Sequence, residues 1–170
     1  MYQLIILMIA MAGPLNAAWA DVEGKVVAVT DGDTIKVLDA QKVQHKIRLT
    51  GIDAPERKQP FGNVSREHLA SLVAGKEVFV ESQKTDRYGR TLGKVWVQPA
   101  DCPTCGKTLD ANYAQVLAGM AWWYRYYARE QPLEDQGRYE SAEEEARLRK
   151  RGLWSDKAPI PPWDWRRQPR

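Results

Sequence analysis

Val22-Glu-Gly-Lys-Val-Val-Ala-Val29, then Asp31-Gly32, then Thr34-Ile-Lys-Val-Leu38 reads as two valine-rich runs hinged on a dipeptide that favours tight reversal. Such a pattern is a β-hairpin. A second turn at Asp39-Ala-Gln-Lys42 leads into Val43 to Leu49, where Val43, His45, Ile47 and Leu49 share one face and Gln44, Lys46 and Arg48 the other. Three strands therefore form a meander, with Arg48 opposite the apolar face. Glu77 to Gln83 and Leu92 to Val97 supply two more strands, joined by a turn at Asp86 to Gly89. Pro55, Pro60 and Gly62 make residues 54–64 a loop, after which Ser65 is the expected cap of a helix running through Ala74 and ended by Gly75. Thr108 to Ala118 reads as a second helix stopped by Gly119. Glu134 to Arg151 reads as a third, with acids early, bases late and Gly152 as its stop. The fold class is α+β, with five short strands and three helices.

The outer segments carry different signals. Leu4 to Gly13 is apolar and uncharged, and Ala18-Trp19-Ala20 places small residues where a signal peptidase accepts them before Asp21. Residues 1–20 read as a secretory leader, although no Lys or Arg precedes the apolar run. A membrane anchor needs roughly 18 or more apolar residues, and Pro14 and Asn16 interrupt this one first. Export implies a secreted or periplasmic protein with no membrane attachment after cleavage. Residues 21–156 form the expected domain, large enough for a single core. Residues 157–170, rich in Pro, Trp and Arg, read as an extended tail without regular structure, which Trp163 and Trp165 could pin to the domain.

Net charge is +3 with a pI near 8.8, compatible with a polyanionic partner. The basic excess gathers from Arg147 onward and reads first as a solvated helix end and tail. Cys102-Pro-Thr-Cys105 holds both cysteines. In an exported chain this spacing is most simply a small disulfide loop. Half a zinc site is the alternative, but only His45 and His68 remain as nitrogen ligands. A redox pair would normally open a helix after a strand, whereas Gly106-Lys107 looks like a turn.

Three segments carry chemistry. Asp33 and Asp53 sit at turn or strand ends, where short carboxylates from two segments can converge on one metal ion, and an all-oxygen ligand set points to calcium. Arg48 and Arg90 offer planar forks that bind phosphate oxygens in pairs. Glu56, after Pro55 in a loop, is a hydrated carboxylate able to activate or orient a water. Phosphodiester hydrolysis needs this inventory, because negative charge builds on a centre that is already anionic.

Asp31-Gly-Asp-Thr34, Arg48-x-x-x-x-Asp53-x-Pro-Glu56 and Asp86-x-Tyr-Gly-Arg90, read together, resemble the micrococcal (thermo)nuclease family. The resemblance runs from about Val26 to Gly152-Leu-Trp154. It implies an OB-like five-stranded β-barrel with three helices and a calcium-dependent nuclease of DNA and RNA, whose 5′-oxygen leaves to give 3′-phosphate ends. It further implies that Asp33, Asp53 and the backbone carbonyl of Ala54 hold calcium, that Arg48 and Arg90 clamp the scissile phosphate, and that Glu56 serves the attacking water. Tyr88 would approach a phosphate and Tyr127 would stack near a base. Two departures stand out: Ala54 replaces a threonine, and Arg125 replaces a pocket tyrosine. Trp122-Trp-Tyr-Arg-Tyr-Tyr127 is dense in aromatics, and core closure accounts for part of it.

The competing reading is a non-catalytic OB-fold module that holds single strands by charge and stacking. Asp33, Asp53 and Glu56 argue against it, since without a metal they repel a phosphate backbone. No stable protein partner is implied, and the expected state is a monomer.

Overall fold

A computed structural model of the chain describes residues 20–169. All of the expected leader except Ala20 lies outside the described residues. Strand β1 (Val22–Asp31) pairs antiparallel with β2 (Thr34–Asp39), which pairs with β3 (Gln44–Leu49). This is the expected meander. Val43 is not part of it: the residue is exposed and precedes β3, because Lys42 takes a left-handed conformation (φ 65°) that turns the chain before the strand begins.

After the two-residue β4 (Ile52–Asp53) and helix α1 (Gly62–Val73) come β5 (Glu77–Thr85) and β6 (Thr91–Val97). β5 pairs with Val22–Lys25 of β1, Val22 opposite Val80, while β2 pairs with β1 from Gly24 to Asp31. Two register shifts in β1, between Val26 and Ala28 and between Val29 and Asp31, accompany this double service. Such bulges bend and twist a strand. The sheet closes where β3 meets β6 in parallel, Ile47 opposite Thr91. The result is a five-stranded barrel, β3-β2-β1-β5-β6, that leaves no open edge between β3 and β6.

The barrel is filled by alternate residues. Ile35, Val37, Ile47, Leu49, Val78, Val80, Val95 and Val97 are all essentially inaccessible, and Leu69 and Val73 of α1 seal one end. Each such side chain contributes about 1.5–3 kcal/mol on burial. Arg48 lies between Ile47 and Leu49 and so points the other way, toward the rim.

Helix boundaries depart from the sequence expectations in three places. α1 begins at Gly62, three residues before Ser65. Phe61 precedes it in a left-handed conformation (φ 67°) without any side-chain cap, and Ser65 is fully buried inside the helix. The second helix loses its first turn: Leu109–Asp110 form β7 on the edge of β6, and α2 spans Ala111–Leu117. Asp110 is its cap, accepting from the Tyr113 N–H at 2.9 Å and from the Tyr139 hydroxyl at 3.0 Å. α3 spans Leu133–Leu148, and a short 3-10 turn follows at Gly152–Ser155.

The tail also departs from expectation. Pro162–Trp165 form a one-turn helix, α4, with proline at its start, and Pro162 is buried. Proline is tolerated there because the first helical N–H has no partner to lose. Trp163 stacks on Tyr124, ring centres 5.4 Å apart and planes at 19°. The tail is therefore docked by its indole instead of running free. Cys102 and Cys105 are joined in a disulfide across a four-residue turn. Among the described residues no helix is long and apolar enough to cross a membrane.

Candidate active site

The Asp31-Gly-Asp33 turn, the β3 end, the β4 segment and the β5–β6 turn open on one cleft of about 740 Å³. Asp33, Arg48, Asp53, Ala54, Glu56, Tyr88, Arg90 and Tyr127, predicted from separate stretches of sequence, all line it.

Asp33 is held from three sides. Its carboxylate accepts from the Ala54 N–H at 2.8 Å and from the Thr34 hydroxyl at 3.0 Å, and its own N–H donates to Asp31 at 3.2 Å. Ala54 thus meets Asp33 through its amide. Gly32 is required in this turn because a Cβ there would collide with the Ser65 hydroxyl and with Ala54. Gln115 of α2, fully buried, donates to the Gly32 carbonyl at 2.6 Å and to Ser65 O at 3.2 Å, and its oxygen meets His68 Nδ1. This scaffold of Ser65, His68 and Gln115 was not legible beforehand, since none of the three touches the cleft.

Asp53 owes its place to an unexpected pairing. β4 forms a two-stranded ribbon with β8 (Trp122–Trp123), Asp53 opposite Trp122. Tyr124 N–H donates to Gly51 O at 2.9 Å. Behind β8, the fully buried Glu143 accepts from Trp123 N–H at 3.1 Å and pairs with Arg125 at 2.6 Å and Arg147 at 3.2 Å. Arg125 also lies over the Trp123 ring at 4.4 Å. Part of the aromatic run is thus the anchor of an acidic strand, and Arg125 is committed to Glu143.

Arg48 bridges the two acids, Nη1 to Asp33 at 2.8 Å and Nη2 to Asp53 at 2.9 Å, while Nη1 also donates to Ile52 O at 3.1 Å. Arg90 is held by Asp86, its Nε donating at 2.7 Å, and Asp86 in turn accepts the N–H groups of Tyr88 and Arg90. Burial opposes the charge on Asp86, but these hydrogen bonds outweigh it and hold the carboxyl below its usual range. Asp86 was missed as a positioning group although it stands in the same motif as Arg90.

Glu56 follows Pro55 with its side chain 43% exposed. Its backbone is fixed by the Gln59 side chain at 3.1 Å and by Gly62, where a Cβ would strike the Glu56 carbonyl. Tyr88 is 68% exposed at the cleft mouth, 5.6 Å from the Arg90 guanidinium, and Tyr127 packs edge-on against Tyr124 at 5.2 Å.

One more side chain enters from the far end of the chain. Arg166 Nη2 lies 2.7 Å from Asp53 Oδ2 and Nη1 lies 2.8 Å from Glu56 Oε1. Proline and tryptophan in the tail could signal docking, but no motif pointed to this arginine.

The carboxylates respond to their crowding. Burial, then the Asp33 charge, pushes the Asp31 carboxyl up to about 7. Burial also raises Asp53, against the Arg166 hydrogen bonds and the Arg48 charge. A hard divalent cation fits this donor set, which is oxygen only. The acids already draw guanidinium groups from two elements, so the position favours positive charge. Among the described residues no group of three or more His, Cys, Asp or Glu could hold an ion unaided. Backbone, water or substrate oxygens would have to complete its shell.

Acids and paired guanidiniums at the rim of a closed barrel are the equipment of a phosphodiesterase, and several relatives of this sequence are named as nucleases or endonucleases. The family described as "Staphylococcal nuclease homologue" matches residues 46–156, and the chain belongs to that family. It is 47% identical to a micrococcal nuclease of Shigella flexneri over 88% of this chain and 83% of that protein. It is 46% identical to an uncharacterized endonuclease of Escherichia coli O157:H7 over 86% of each. It is 45% identical to protein ParB of Escherichia coli, over 90% of this chain and 84% of ParB. The protein is a hydrolytic endonuclease of nucleic acid, and the non-catalytic reading is set aside.

Proposed function

We propose that the enzyme is a calcium-dependent nuclease of DNA and RNA that releases the 5′-oxygen and leaves 3′-phosphate ends. The observation that carries this reading is the convergence of Asp33, Asp53, Glu56, Arg48 and Arg90 on one cleft. Asp33 and Asp53 would hold the ion, with the Ala54 carbonyl as the candidate third ligand. When bound, calcium supplies a fixed positive charge beside the phosphoryl oxygens.

The remaining work falls to the chain. Arg90, held rigid by Asp86, presents its second nitrogen edge to a phosphate, and Arg48 neutralises the charge that develops there. Glu56, exposed in its loop, orients a water for in-line attack or takes its proton. Tyr88 at the mouth would meet a phosphate and Tyr127 on the aromatic wall would meet a base. Stacking on such a ring is worth about 1–3 kcal/mol.

Nicking of supercoiled plasmid and degradation of a single-stranded RNA, each with calcium, with magnesium and with excess EGTA, test this reading. Cleavage only with calcium is expected. Full turnover in EGTA would overturn the role given to the ion. End-labelled product should carry a 3′-phosphate.

We further infer that the protein is exported and acts as a monomer in the periplasm or outside the cell. The leader pattern of residues 1–20 supports this, and a mature N-terminus at Asp21 in the secreted protein is the expected finding.

A further inference from the structure

The two carboxylates that the proposed chemistry needs most are not free. Asp53 is 1% exposed and gives one oxygen to Arg48, yet both of its oxygens also face Arg166, at 2.7 and 3.3 Å. The same guanidinium reaches Glu56 at 2.8 Å. It spans the gap between the acid assigned to the metal and the acid assigned to the water.

The contact is built, not incidental. Arg166 immediately follows α4, and α4 is seated by Trp163, which stacks on Tyr124 and lies edge-on to Trp122 and Tyr126 at 6.4 and 6.2 Å. Pro162 is buried beneath it. Upstream, Gln59 from the Glu56 loop donates to the Ile160 carbonyl at 2.5 Å. Three independent anchors thus aim one arginine at one pair of acids.

Arg166 holds Asp53 Oδ2 and shares Oδ1 with Arg48, and a guanidinium seated there repels a divalent cation approaching the same carboxylate, so the two compete for Asp53. We propose that the C-terminal segment is an internal latch, in which Arg166, set between Asp53 and Glu56, takes the Asp53 oxygens that the cation needs and the metal enters only as the tail departs. This rests on the assignment of Asp53 to the metal site. The arginine follows closely on the docked Trp163, so it competes at a high effective concentration. Apparent metal affinity is lowered by the fraction of molecules with the latch open. Its 40% exposed side chain leaves the ion pair accessible to water. The latch therefore yields to a competing cation instead of locking the enzyme permanently.

The latch also has a use. An unlatched, metal-free site would hold Asp33, Asp53 and Glu56 close together with only Arg48 to offset them. Arg166 supplies the missing charge until an ion arrives. An enzyme that degrades nucleic acid would then remain closed where calcium is scarce and open where it is abundant.

Calorimetric titration of calcium into the full-length metal-free protein, and terbium luminescence sensitised by the nearby aromatics, test the proposal with two separate variants. Arg166→Gln removes the charge, and Trp163→Ala removes the anchor while leaving Arg166 in the chain. Both should bind the ion about tenfold more tightly than wild type, a difference of about 1.4 kcal/mol. Trypsin should cut wild type after Arg166 and Arg167 faster when calcium is present than when it is absent. Unchanged or weaker metal affinity in both variants, or calcium-independent trypsin cleavage, would overturn the latch. Asp53→Asn separates this failure from that of the site itself. If Asp53→Asn abolishes metal binding while the two tail variants match wild type, the site stands and the latch falls. If Asp53→Asn binds as wild type does, the metal assignment falls, and the latch falls with it.

Discussion

At the scale of single residues, function depends on groups that hold other groups. Arg90 faces the cleft because Asp86 grips its Nε at 2.7 Å and caps the Tyr88–Arg90 turn. Asp86→Ala should therefore lower kcat on plasmid by about tenfold to a hundredfold without loss of fold, as misplaced reacting groups typically cost. Arg90→Lys should fail to restore activity, because a point charge cannot bind two phosphate oxygens side by side. Glu56→Gln should abolish cleavage while calcium still binds, which separates water handling from metal binding. Asp31 offers a test by pH. Its folded-state pKa is raised to about 7 by burial and by Asp33, so the folded state holds a proton that the unfolded state gives up. The stabilising effect of that proton is complete below the ordinary carboxylate range and is lost as pH rises toward 7. In metal-free protein, stability measured by urea unfolding should fall between about pH 4 and 7. Asp31→Asn should flatten that slope.

At the scale of elements, the barrel sets the rim and short irregular pieces set the site. Asp53 is carried by a two-residue strand whose partner is Trp122–Trp123, and that ribbon leans on Glu143, buried in α3. Glu143→Gln should cost about 2–3 kcal/mol in thermal or denaturant unfolding, because Arg125 and Arg147 lose their acid and a buried position loses its pairing. Its metal affinity should also weaken as β4 loosens. Gly62→Ala tests the Glu56 loop: a methyl there must displace the Glu56 carbonyl, so kcat should fall far more than stability. The helix ends show why local signals misled. Ser65 has the chemistry of a cap, but Gln115 and the Gly32 turn claim its surroundings from other elements. Thr108 to Asp110 has the pattern of a helix start, but β6 offered Leu109 and Asp110 an edge to pair with. In both cases a long-range partner outweighed a propensity worth about 1 kcal/mol.

At the scale of the whole molecule, the C-terminal tail meets the middle of the chain. The tail returns about a hundred positions along the sequence to place Arg166 on Asp53 and Glu56. Ligand binding should report on this arrangement as well: calcium at a hundred times its dissociation constant stabilises by about 2.7 kcal/mol and should raise the melting temperature by about 5–10 °C. The five barrel strands, the approximate helices and the cleft residues Asp33, Arg48, Asp53, Glu56 and Arg90 could be read from the chain itself. Strand alternation and turn dipeptides are local properties, and the acids and arginines lie inside short motifs whose spacing is set by those turns. The β4–β8 ribbon, the hold of Glu143 on Trp123, the support of the Asp31–Asp33 turn by Gln115 and the seat of Arg166 could not. Each joins segments far apart in sequence, through contacts that exist only once the barrel has closed and brought its loops to one rim. Local pattern determined which residues could do the chemistry; only the packed structure decided which of them were held in place, and by what.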